Sequence, residues 1–75
     1  MIDVETQSLL LSHIGQALEK LSVLTSNVAV YQRTKHYQHL RAACIAQQEL
    51  ATYLRRATNV AKVLQEQLEA LPNQV

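Results

Sequence analysis

The chain has 75 residues, 48% of them apolar, with three Tyr, no Phe, no Trp and a net charge of +1. That length allows one domain at most, and a single cysteine excludes an intrachain disulfide as a brace for a small core. The near-zero net charge favours no particular class of partner. Ala, Leu and Gln dominate, beside one Gly and one Pro. This mixture suits helix and fits strands poorly, so the fold class expected is all-α. An apolar chain this small, without bulky rings or metal motifs, is expected to bury part of its surface against another chain.

The first helix is expected over about residues 4–27. Asp3 can cap its free N–H groups, and Glu5 lies near the positive end of its dipole. Apolar residues recur at Leu10, Ile14, Ala17, Leu21, Leu24, Val28 and Tyr31, in steps of three and four. Leu11 and Leu18 widen that stripe, and His13 lies at its rim. Gly15 is a weak point inside the helix.

The stripe fails beyond Tyr31, because its next positions would be Lys35 and Gln38. A break is therefore expected within residues 26–35, with a connection of about 27–35. Asn27 suits a left-handed helix end, and Thr34 suits the start of the next helix. Short connections between neighbouring helices return antiparallel, so an asymmetric two-helix hairpin is expected, coiled-coil-like and completed by a partner chain or a second copy.

The second helix is expected over about residues 35–71. Its main row runs through Leu40, Ala43, Cys44, Leu50, Leu54, Ala57, Ala61, Leu64, Leu68 and Leu71, with Gln47 as one interruption. A second row holds Ile45, Ala46, Tyr53, Val60 and Val63. Pro72 ends the pattern, and residues 72–75 read as a frayed tail. The intrachain core expected from these rows sets Leu10, Ile14, Leu21 and Leu24 against Leu50, Leu54, Ala61 and Leu64. Ile45, Tyr53, Val60 and Val63 are then expected to face a partner, since contiguous apolar patches mark contacts. Cys44 is expected to behave as a small buried hydrophobe.

Catalytic patterns are absent from the sequence. There is no glycine-rich elbow or phosphate loop, and Glu66 and Glu69 near the tail are not a working carboxylate pair. His36, His39 and Cys44 are zinc-ligand types, but their spacing matches no known ligand pattern, so no metal or cofactor is expected. Residues 33–62 carry a net charge of +5, between two stretches of −2 each. The segment RTKHYQHLR reads as a solvated connection more readily than as a nucleic-acid patch, which needs a larger positive excess. The N-terminus lacks the basic segment and apolar run of a signal peptide, and the apolar runs are short of a membrane span. The location expected is the cytoplasm, and the lone cysteine fits a reducing compartment.

Two local features carry a resemblance. The segment ALEKL, Ala17 to Leu21, is followed after the weak-helix stretch by HYQ, His36 to Gln38, opening a second amphipathic helix. This arrangement resembles the small needle-subunit co-chaperones of bacterial type III secretion systems, the YscE, SsaE and EscE group. It covers roughly residues 8–65, although the connection lacks the Gly or Pro common in such turns and the second arm is long. The resemblance implies a cytoplasmic bacterial helical hairpin without enzymatic activity. Its partners would be a chaperone built of helical repeats and the needle subunit that both keep monomeric before export. The alternative is a homodimeric hairpin regulator forming a four-helix bundle, with nucleic acid as its candidate ligand.

Overall fold

The computed structural model describes residues 2–72, which form two antiparallel helices, α1 (Val4–Thr34) and α2 (Tyr37–Glu69). Residues 73–75, the greater part of the expected tail, lie outside the described residues. The hairpin measures 58 × 20 × 15 Å, so it is one helix thick. Its radius of gyration is 17.4 Å. A compact domain of this length would have about 11 Å.

Asp3 opens α1 as expected. Its carboxylate accepts from the Glu5 N–H at 3.0 Å and from the Thr6 hydroxyl at 2.8 Å. Its own N–H donates to Gln67 Oε1 at 3.0 Å, tying the free end of α1 to that of α2. Halfway along, Lys20 Nζ lies 2.9 Å from Glu49 Oε2. One register therefore holds from the open end to the turn.

The turn differs from the sequence expectation in place and length. Helix α1 continues through residues 27–34, and the connection is only Lys35 and His36. Asn27 does not end the helix, because its amide donates back to the Val23 carbonyl at 2.9 Å. Thr25 and Thr34 do the same to Leu21 and Val30. Weak helix formers persist here because their polar groups are satisfied inside the helix, while Val28, Val30 and Tyr31 are half-buried. Thr34 is the last residue of α1 rather than a cap for α2, although its hydroxyl accepts from the His36 N–H at 3.3 Å. Lys35 takes the left-handed conformation, with φ 60°, and its N–H donates to the Tyr31 carbonyl at 2.7 Å. A non-glycine residue pays a steric penalty there. Stacking across the turn accompanies it: the Tyr31 and Tyr37 rings lie 6.3 Å apart, and the Lys35 ammonium lies 5.7 Å from the Tyr31 ring. At the far end α2 stops at Glu69, two residues before the expected boundary.

The packing between the helices also departs from expectation. Among the described residues the buried side chains are Ala17, Ala43, Ala46 and Ala57. Leu10, Leu24, Leu50 and Leu64, expected in the core, are half-buried beside them. Ile14, Leu21, Leu54 and Ala61, expected in that core, are exposed. Small side chains let a helix backbone approach closely, and the hairpin closes on the alanines of α2, which meet the edge of the α1 stripe that carries Leu10, Ala17 and Leu24 instead of Ile14 and Leu21.

Candidate functional site

Heptad lettering makes the geometry explicit. In α1, position a holds Leu10, Ala17, Leu24 and Tyr31, and position d holds His13, Lys20 and Asn27. In α2, position a holds Ala43, Leu50, Ala57 and Leu64, and position d holds His39, Ala46, Tyr53, Val60 and Gln67. These a and d residues are all buried or half-buried, as are flanking residues such as Val28, Val30 and Glu49. The d row of α1 is wholly polar, and the Nδ1 of half-buried His13 has no hydrogen-bond partner among the described residues.

Large apolar residues occupy the rows beyond a. In α1 these are Ile14, Leu21 and Val28 at e, with Val4, Leu11 and Leu18 at b. Leu11 is 70% exposed and Leu18 61%. In α2 the e row holds Leu40, Leu54, Ala61 and Leu68, and Leu54 is 50% exposed. The two e rows lie on the same side of the hairpin. A groove between the helices is lined by Leu24 and Val28 of α1 and by Leu40, Ala43 and Gln47 of α2. A depression lined by Tyr37, Leu40, Cys44 and Ile45, with Arg41 at its edge, continues it outward along α2. The Lys20–Glu49 pair joins a d to a g position, on the opposite side.

The distribution of charge sharpens this picture. No Asp, Glu, Lys or Arg occupies an a, e or b position anywhere in either helix. Glu5, Glu19, Arg33 and Glu66 fall at c, Arg41, Arg55, Lys62 and Glu69 at f, and Glu49 and Arg56 at g. Lys20, at d, is the one that reaches the seam, where Glu49 meets it. That carboxylate, by its hydrogen bond and then its Coulomb attraction, raises the Lys20 pKa above 10.5. The a, e and b rows thus form one uncharged face running the length of the hairpin. Its few polar groups are neutral: Gln7, Thr25, Gln32, Gln47, Thr58 and Gln65.

The row expected to face a partner does not form a free ridge. Tyr53 and Val60 sit at d and are half-buried towards α1. Ile45 and Val63 are exposed, but at c and g among the charged rows, and the Arg56 guanidinium lies 5.3 Å from the Tyr53 ring. The expectation had taken a and e as the seam of α2; the alanines at a and d form it instead, which turns the helix and brings the e row outward. Cys44, expected to be buried, is exposed at b on the uncharged face.

The His36 and His39 rings stack 6.3 Å apart. Among the described residues no group of three or more His, Cys, Asp or Glu is placed to hold a metal ion. No helix among them is long and apolar enough to cross a membrane. What the arrangement offers chemically is a long apolar surface, with neutral hydrogen-bonding groups at intervals. No protein-family model, curated protein or solved structure matches this chain.

Proposed function

We propose that the protein is a binding module without catalytic activity, whose uncharged face docks on helical polypeptide. The observation that carries this reading is the confinement of every helix charge to the c, d, f and g rows while Leu11, Leu18 and Leu54 stand in solvent. A contiguous apolar patch of this kind marks an interaction surface, and a helical groove is a natural receiver for it. The resemblance of ALEKL and HYQ to the needle-subunit co-chaperones supports one partner in particular: a bacterial, cytoplasmic chaperone of helical repeats that holds a type III secretion needle subunit. Binding there stabilises the chaperone by mass action and helps keep the subunit monomeric before export. Co-expression with such a chaperone and needle subunit tests it. The expected result is a ternary complex lost on Leu18→Glu with Leu54→Glu; failure of the wild-type chain to co-purify refutes the reading.

One observation supports a second reading, the nucleic-acid-binding regulator. Arg41, Arg55 and Lys62 recur at f along the back of α2, at multiples of seven residues. Phosphate contacts made there would release counterions, so binding would weaken steeply with salt. Absence of any gel shift at low salt removes this reading.

A further inference from the structure

The face has a particular first occupant in the free protein. We infer that it is a second copy of this chain, two hairpins stacking face to face as a four-helix bundle. This inference rests on the reading of the uncharged face as a binding surface.

Three observations lead to it. The first is the missing layer. A domain is built of two packed layers, and this hairpin, 15 Å thick, supplies one. The second is area. The chain exposes 5795 Å² for a mass of 8.5 kDa. A compact monomer of that mass exposes about 4,700 Å². The excess, roughly 1,100 Å², is of the order that a partner buries in a stable protein–protein interface, about 800 Å² a side. The third is charge. Self-association is isologous, so each residue on the face meets the same face of its mate. A face carrying an ion would bury that ion beside its own copy or need a complementary one, and burial of unpaired charge is heavily penalised. The a, e and b rows carry none, so they are self-complementary without any pairing rule.

The register locates the centre. Lys20 faces Glu49 near mid-length, so Leu18, Leu21 and Leu54 stand at the middle of the face. Whichever end of the second hairpin meets the turn, a two-fold axis through that middle gathers the same three leucines from both copies. The face is also continuous with the existing seam, because half-buried Leu24, Leu50 and Leu64 form its floor. Stacking completes their burial and gives the alanine seam the apolar core it lacks.

Sedimentation equilibrium of the wild-type chain from low micromolar to a few hundred micromolar tests the inference. The expected species at high concentration has twice the 8.5 kDa chain mass. Leu18→Glu with Leu54→Glu is expected to raise the dimer dissociation constant at least about 100-fold, while Arg55→Glu on the back leaves it unchanged. Because the doubly substituted chain can lose helix on separation, the native thiol gives an independent reading. Cys44 lies on the face and is exposed in the single hairpin. Its alkylation by a maleimide is expected to slow as the wild-type chain is concentrated. A wild-type chain that stays monomeric with a concentration-independent thiol rate overturns the inference, and so does a dimer broken by Arg55→Glu but indifferent to the leucine changes. A monomer that still joins the chaperone complex overturns only the self-pairing. A leucine-dependent dimer with no affinity for the chaperone overturns only the proposed function.

Discussion

Replacing Ala46 by Leu probes the feature on which the geometry depends, the alanine seam. Ala46 is 2% exposed, and Ala43 beside it is 2%. Alanine at each buried position permits an approach towards the close end of the usual interaxial range of about 8–10 Å. A leucine adds three heavy atoms where no space is left for them, and overpacking of this kind costs about 1–3 kcal/mol. Taking about 2 kcal/mol, and about 4–8 °C per kcal/mol for a domain of this size, the midpoint falls by roughly 8–16 °C. The same enlargement at exposed Ala61 meets no opposing backbone. It is expected to leave stability within about 0.5 kcal/mol of wild type, or to raise it where the face is covered. Thermal melts followed by circular dichroism at 222 nm, at one fixed protein concentration, measure both. The concentration is fixed because self-association shifts the midpoint. A stabilised Ala46→Leu chain beside a destabilised Ala61→Leu chain would refute the reasoning, and would return the seam of α2 to its a and e rows.

Three further outcomes follow from individual residues. Gly15 stands at f, with nothing within 4 Å of the place a Cβ would occupy, so Gly15→Ala should stabilise the chain by about 0.8–1 kcal/mol in urea titration. A loss instead would reveal a close helix contact at that point. Lys35 holds a left-handed conformation that glycine adopts freely, so Lys35→Gly should raise the midpoint by the equivalent of up to about 1 kcal/mol, less the lost contact with the Tyr31 ring. A lower midpoint would mean that this contact outweighs the backbone penalty. The Lys20–Glu49 pair raises the pKa of a lysine, so its contribution is fully present below the unfolded value near 10.5 and is lost as pH rises through the raised folded value. The stability gap between wild type and Lys20→Gln should therefore be constant from pH 7 to 9 and close as pH rises through the raised folded value. A gap that persists undiminished in that alkaline range would assign it to packing of the lysine stem.

The amino-acid sequence was sufficient for the fold class. Three-and-four spacing, an Asp3 cap and the failure of the stripe past Tyr31 specify two helices and a return, and these are local properties of the chain. The position of the return was not legible in the same way. Asn27 reads as a helix end and Thr34 as a helix start, yet each satisfies its side chain on a carbonyl one turn back, and α1 runs on to a lysine in a conformation for which its type carries no signal. The limits of the apolar stripe and its freedom from charge were likewise present in the letters. Which edge of that stripe closes the hairpin was decided only by tertiary packing. Two helices can meet on either side of an apolar stripe, and the choice turns on how near their backbones come. The alanines at a and d permit the close approach, so they became the seam, and the leucines at e and b were left to face outward.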